Sequence, residues 1–220
     1  MRVKALQGVG AEVAEIDLNQ LSGPEQVDIR AAFAEYGLLF FRDQDIDEQG
    51  HLRFSRMWGE INVNRFFGAH PHYPEIAVVA KEPEQTGNIG GDWHTDHSYD
   101  EHPALGSILV ARQLPPSGGD TWFASMYKAY EGLSIGLQEF LGSLRAVHSA
   151  KHVFGTSPAK RVDETVETRF HSQAVADALE DPVHPVVITH PLSGRKALYV
   201  NRAFTRRFEY VAINICVING

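Results

Sequence analysis

Short β-rich runs separated by turn-forming residues constrain the fold of this chain more than any other feature of its sequence. The clearest pair lies in HPVVITHPLSGRKALYVN, residues 184–201, where two such runs flank a Pro-Leu-Ser-Gly turn and predict a β-hairpin. Other runs of apolar and β-branched residues predict strands at 38–41, 75–82 and 104–114, and extended chain at 144–150.

Helices are predicted between these runs. Residues 22–37 begin with Ser-Gly-Pro-Glu, carry apolar residues at helical spacing and stop at a glycine, so the start and stop signals agree. A second helix is predicted to follow a cap at Asp45 or Asp47, and a broken helical region is predicted over 125–141. This mixture predicts an α+β domain built around an antiparallel sheet or a jelly-roll-like barrel.

Composition restricts the classes of partner. The 220 residues show no repeat and no linker, which predicts a single domain over 1–220. A net charge of −8 argues against nucleic acid or an anionic membrane surface as the main partner and leaves a small-molecule partner open. No run approaches the roughly 18 apolar residues of a membrane span. The single cysteine, Cys216, excludes an intrachain disulfide, favours the cytoplasm and leaves metal ligation to histidine and carboxylate.

The stretch GGDWHTDHSYDEH, residues 90–102, concentrates histidines and acids around one tryptophan. In an extended chain His94 and Asp96 point to the same face. With a histidine from a distant strand they would form a two-histidine, one-carboxylate site, which leaves positions open on non-haem Fe(II). The alternative is that either residue satisfies a buried backbone group or faces solvent.

The other polar residues of this stretch have simpler expected roles. His97 points away from the His94 side if the strand continues, and His102 precedes a proline on a loop. Both are expected to be ordinary polar residues. Asp100 and Glu101 are expected to form a solvated loop edge.

The run WHTDHSYDEHPALGSILVARQLPPSGGDTWFASMYKAYEGLS resembles the taurine dioxygenase family of Fe(II)- and 2-oxoglutarate-dependent oxygenases, which includes 2,4-dichlorophenoxyacetate dioxygenase. The W-H-x-D motif, the small-residue strand, L-P-x-x-G-G-D-T and the A-Y-x-x-L-S helix occur in order. GLLFFRDQDID and HPVVITHPLSGRKALYVNRAFT extend the resemblance to roughly residues 1–207.

The resemblance implies a double-stranded β-helix, or jelly-roll, core with flanking helices. It implies that His94 and Asp96 are two iron ligands and that Thr121 helps to hold 2-oxoglutarate. The implied reaction uses Fe(II), O2 and 2-oxoglutarate to hydroxylate a small organic substrate, with decarboxylation of the cosubstrate to succinate.

Positions at which taurine-binding relatives hold the sulfonate correspond to Asn64, Phe67 and Gly90. These residues argue against taurine itself. Phe67 favours an apolar or aromatic substrate, and a simple packing role for Phe67 is equally open.

The resemblance fails near the end of the sequence. The family has a tryptophan-rich segment with a distal histidine and a later arginine that binds 2-oxoglutarate. Here NRAFTRRF continues as EYVAINICVING, and no histidine follows His190. We interpret the sequence as a C-terminally truncated or frameshifted member whose jelly roll is incomplete and whose third histidine ligand is not found. His184 or His190 is a minor alternative for that ligand.

Two other hypotheses remain open. One is a catalytically inactive member of the same family. The other is a zinc-dependent hydrolase, although the metallo-β-lactamase-like pattern H-x-H-x-D-H would require histidine where this chain has Asp96. Under any of the hypotheses, the late strands are expected to present unpaired edges, which would be compatible with assembly into a homo-oligomer.

Overall fold

The computed structural model describes residues 1–81, 84, 90–154 and 179–209. Cys216, on which the prediction of a reducing compartment rests, therefore lies outside the described residues, as does most of the EYVAINICVING segment. The described helices are α1 (Gly23–Tyr36), α2 (Glu48–Arg56), α3 (Met126–Glu131), α4 (Ile135–Gly142) and α5 (Lys151–Phe154). The described strands are β1 (Arg2–Ala5), β2 (Ala11–Ala14), β3 (Leu39–Phe41), β4 (Ala69–His70), β5 (Tyr73–Ala77), β6 (Arg145–His148), β7 (Val183–Pro185), β8 (Val187–Thr189), β9 (Lys196–Leu198) and β10 (Thr205–Phe208).

The strands form four small sheets within the described ranges. The first has the order β1-β2-β3, with Arg2 opposite Ala14 in an antiparallel pair and Ala11 opposite Leu39 in a parallel pair. The second has the order β10-β6-β7, and two hairpins, β4-β5 and β8-β9, complete the set. Helices together with one mixed and three antiparallel sheets agree with the expected α+β class. No helix in the described part of the chain is long and apolar enough to cross a bilayer.

The first helix has the caps that its sequence predicts. Glu25 closes a capping box on Ser22, because the Ser22 backbone N–H donates to the Glu25 carboxylate at 2.9 Å while the Ser22 hydroxyl accepts from the Glu25 N–H. The helix ends where Gly37 adopts φ +71° and donates its N–H to the carbonyl of Phe33. Sequence signals therefore set both ends of α1.

Of the two acids considered for the second helix, Asp47 is the cap. Its carboxylate accepts the N–H of Gly50 at 2.6 Å, and Leu52 and Phe54 are the large apolar residues that α2 buries. Phe54 belongs to a cluster that we call the N-terminal core, formed by Leu18, Ile29, Ile46 and Phe54. A second cluster, the aromatic core, is formed by Phe66, Tyr99, Ala150 and Phe204.

The late hairpin is confirmed and two predicted strands differ from the structure. Residues 187–198 form β8 and β9, with Gly194 at φ +68° in the turn between them. The strand predicted at 75–82 ends at Ala77, and the exposed Val78 and Val79 lie beyond it.

The strand predicted at 104–114 is absent from the structure, where this run is irregular chain. Ile108 and Val110 pack against the N-terminal core, while Leu109 between them is 75% exposed. This alternation is typical of an extended chain with one buried face. No strand is assigned there because a strand also requires backbone pairing with a neighbour, and 104–114 has none among the described strands.

Two neighbouring strands of the second sheet, β6 and β7, carry a pair of buried histidines. His148 of β6 is 0% exposed, and neither ring nitrogen has a hydrogen-bond partner among the described residues. Its ring lies 5.4 Å from that of His184 and 5.8 Å from that of Tyr199, measured between centroids. Burial lowers the pKa of His148 to about 4, and burial also lowers the pKa of His184.

We predict that this burial makes the fold sensitive to acid. An unfolded histidine has a pKa of about 6.5, so the unfolded chain binds more protons than the folded one between about pH 6.5 and about pH 4. Because of His148, the free energy of unfolding should decrease by up to about 3 kcal/mol as the pH is lowered from about 6.5 to about 4. Thermal unfolding followed by circular dichroism should show a smaller pH slope for His148→Leu than for wild type. His72→Ala, at an exposed position, should keep the wild-type slope, and equal slopes in all three proteins would contradict the prediction.

Candidate metal site

His94 and Asp96 converge on one point although no strand is assigned to 90–102. The His94 Nε2 atom lies 3.2 Å from the Asp96 Oδ1 atom. The prediction assumed that a strand would place both side chains on one face. In the structure a bend and irregular chain achieve the same convergence, and both side chains keep part of their surface exposed.

A hydrogen bond to the backbone fixes the orientation of the His94 ring. Its Nδ1 atom lies 2.7 Å from the backbone carbonyl of Asp92, and since a carbonyl only accepts, Nδ1 must carry the proton. The other ring nitrogen, Nε2, faces Asp96. Gly90, at φ +69°, lies against the same ring, because a Cβ there would be 3.2 Å from the His94 Cε1 atom. The ring edge also meets Phe204 at 6.1 Å between centroids.

The Asp96 carboxylate is held by a residue that the sequence reading missed. The Ser107 hydroxyl donates to Asp96 Oδ2 at 2.8 Å, which leaves Oδ1 directed toward His94. The hydrogen bond from His94 lowers the pKa of Asp96 despite the opposing effect of burial, and the same hydrogen bond raises the pKa of His94. Ser107 lies inside an apolar run, and nothing in the pattern of that run distinguishes it.

The separation of the two donors fits a divalent cation. Ligand bonds of about 2.1 Å at about 90° place neighbouring donor atoms about 3 Å apart, close to the 3.2 Å between His94 Nε2 and Asp96 Oδ1. The carbonyl behind His94 and the hydroxyl behind Asp96 are the outer contacts that usually orient metal ligands. No group of three histidine, cysteine, aspartate or glutamate side chains able to hold a metal occurs among the described residues. The pair therefore supplies two protein donors.

The two alternative histidines have other contacts. His184 is buried, and its Nε2 donates to the backbone carbonyl of Asp100 at 2.9 Å. His190 packs its ring against Phe33 of α1 and Tyr127 of α3. Neither is grouped with the His94–Asp96 pair in the described structure.

The remaining predicted site residues lie in the following places. Thr121 is exposed, in the irregular chain that precedes α3. The Asn64 side-chain oxygen accepts the backbone N–H groups of Phe66 and Phe67 at 2.8 and 3.1 Å, so that oxygen is used in a local turn. Phe67 is half-buried against the aromatic core.

The loop after the pair differs in part from expectation. Glu101 and His102 are exposed, as expected, whereas Asp100 is only 6% exposed. The expectation of a solvated edge was wrong for Asp100 because three side chains from outside and within the loop donate to its carboxylate. His97 has φ +57°, a left-handed conformation that is uncommon for a residue other than glycine.

Comparison with known proteins gives one consistent result. Residues 2–213 match the family described as "Taurine catabolism dioxygenase TauD, TfdA family". The chain is 28% identical over 210 residues to an alpha-ketoglutarate-dependent sulfonate dioxygenase of Saccharomyces cerevisiae, covering 90% of this chain and 48% of that protein. It is 32% identical over 213 residues to pentalenolactone F synthase of Streptomyces avermitilis, covering 90% of this chain and 70% of that protein.

A solved structure agrees with the sequence relatives. A taurine dioxygenase from Burkholderia xenovorans superimposes with a TM-score of 0.75 at 30% identity, covering 96% of this chain and 66% of that one. The chain thus spans about half the length of the yeast relative and about two thirds of the solved structure.

We predict that a divalent cation binds between His94 and Asp96. Titration with Co(II), followed by its visible absorption, should give one site in wild type and no measurable site in His94→Ala or Asp96→Ala. Ser107→Ala should weaken binding about tenfold, because an outer contact that orients a ligand is worth about 10- to 100-fold in metal affinity.

Ser55→Ala is the matched control for this titration, since the Ser55 hydroxyl donates within its own helix, to the carbonyl of His51. It should bind Co(II) as wild type does. Unchanged affinity in both His94→Ala and Asp96→Ala would remove the pair from the site.

Proposed function

Because this chain belongs to the TauD/TfdA family of taurine catabolism dioxygenases, we propose that it acts as an Fe(II)- and 2-oxoglutarate-dependent dioxygenase on a small organic substrate. The observation that carries the proposal is the 3.2 Å approach of His94 Nε2 and Asp96 Oδ1, inside the matched region. Relatives bearing the names of 2-oxoglutarate-dependent dioxygenases support the reaction class.

His94 and Asp96 would hold the iron. When bound, the iron would supply the redox chemistry with O2 that couples decarboxylation of 2-oxoglutarate to hydroxylation of the substrate. The protein groups prepare this site without themselves exchanging electrons. Asp92 keeps the proton on His94 Nδ1, so the Nε2 lone pair is available once His94 is neutral, and Ser107 keeps one Asp96 oxygen directed at the same point.

Thr121 is proposed to orient 2-oxoglutarate. Its hydroxyl can donate to a carboxylate oxygen of the cosubstrate. Support comes from its place in the GGDTWF motif and from its exposure in the structure, which leaves it accessible to a ligand.

The proposed substrate pocket includes Asn64 and Phe67. Since the Asn64 oxygen is committed to the turn at Phe66 and Phe67, the group it offers a substrate is its amide nitrogen, a donor. The Phe67 ring adds apolar surface. A substrate with an apolar body and one acceptor group fits this combination better than taurine does.

We also propose that residues 1–220 form one domain with the jelly-roll core and flanking helices of this family. The superposition over 96% of the chain supports the core. The four small sheets of the described residues would then be parts of that larger arrangement.

Succinate formation tests the proposed reaction. The purified chain, supplied with Fe(II), ascorbate, O2 and 2-oxoglutarate, should form succinate that mass spectrometry detects, and His94→Ala and Asp96→Ala should form none. Bound iron without succinate would support the inactive alternative and contradict the proposal. Stoichiometric zinc together with hydrolase activity would replace the proposal by the zinc enzyme.

The role of Thr121 has a separate test. Thr121→Ala should raise the 2-oxoglutarate concentration needed for half-maximal succinate formation about 10- to 100-fold, because a hydrogen bond to a charged group is worth about 1.5 to 3 kcal/mol. Thr189→Ala, at an exposed position in β8, is the matched control and should leave this concentration unchanged. An unchanged requirement in Thr121→Ala would exclude Thr121 from the cosubstrate site.

A further inference from the structure

Asp100, four residues after Asp96, has a buried carboxylate surrounded by donors. Arg65 donates to its Oδ1 at 2.9 Å, and His97 donates to its Oδ2 at 2.8 Å. Asn62 adds a longer bond to Oδ2 at 3.3 Å. Burying a carboxylate is costly unless such partners replace water, so this arrangement requires all three groups to be in place.

The backbone of Asp100 is fixed as well. Its N–H donates to the carbonyl of His97 at 2.9 Å, which closes a tight turn. Its carbonyl accepts Nε2 of His184, from strand β7, at 2.9 Å. His97 has φ +57° inside this turn, a conformation that persists only when surrounding contacts impose it. Side-chain and backbone contacts of Asp100 together supply that constraint.

The turn at residues 97–100 also packs against Phe204, which contacts the His94 ring. Ser98 is fully buried and accepts a hydrogen bond from the Asn201 side-chain amide at 3.0 Å. Tyr99 packs against Phe204 at 4.7 Å between centroids, and Phe204 is the ring that the edge of His94 meets. A shift of the turn would therefore move the chain that leaves Asp96 and the ring that supports His94.

We propose that Asp100 is a positioning residue whose buried carboxylate gathers Asn62, Arg65 and His97 around the turn and thereby holds His94 and Asp96 in their converging arrangement. The inference rests on the proposed metal role of that pair. Asp100 is not itself a ligand in this arrangement, because its oxygens already accept hydrogen bonds from the three donors and its side chain is only 5% exposed.

Asp100→Asn tests the proposal, because it keeps the shape of the side chain and removes the charge that the donors require. Hydrogen–deuterium exchange of the peptide covering residues 94–101 should become about tenfold faster, with no change in peptides from α1. Co(II) affinity should fall about 10- to 100-fold. Arg65→Lys, which keeps a cationic donor, should lie between wild type and Arg65→Met in both measurements.

Ile29→Val is the control for a general loss of stability, since Ile29 is fully buried in the N-terminal core. It should lower the melting temperature without changing exchange in residues 94–101 or Co(II) affinity. Unchanged exchange in that peptide for Asp100→Asn, or an equal increase throughout the protein, would overturn the proposal. Wild-type Co(II) affinity in Asp100→Asn would also overturn it. If wild type binds no Co(II), the metal role of the pair fails, while the exchange comparison still decides whether Asp100 holds the loop.

Discussion

The chemistry inferred for this protein depends on one close approach, that of an imidazole nitrogen of His94 to a carboxylate oxygen of Asp96 at 3.2 Å. In the free protein this contact is a hydrogen bond that favours protonated His94 and ionised Asp96. A divalent cation would replace the shared proton with bonds to the same two atoms. The same geometry thus suits both the hydrogen-bonded free protein and the metal-bound protein, and the groups that orient the two side chains need not move.

Two separate cores hold the two halves of this contact. Ser107, which orients Asp96, directly precedes Ile108, whose side chain packs on the N-terminal core and whose carbonyl lies 3.2 Å from His51 of α2. His94 instead rests on Phe204 of the aromatic core. The W-H-x-D segment therefore has contacts toward both clusters, through Ser107 and its neighbour Ile108 on one side and through Phe204 on the other.

Sequence reading succeeded where the determining contacts are local. The capping box joins Ser22 to Glu25, three positions later, and the convergence of His94 and Asp96 joins residues two positions apart, so both contacts can be read from a short window. Reading failed where the contact is distant. The bonds of Asp100 to Arg65 and His184 span 35 and 84 positions, and no periodicity of the sequence reports them. The run at 104–114 failed for the same reason, since pairing depends on a partner elsewhere in the chain.

A crystal structure of the protein with Co(II), located by anomalous scattering, tests the central claim most directly. The account predicts one strong peak bonded at about 2.1 Å to both the Nε2 atom of His94 and the Oδ1 atom of Asp96, with Ser107 still donating to Oδ2. A cobalt ion bound elsewhere, or bound to one of the two side chains with the other turned away, would contradict it.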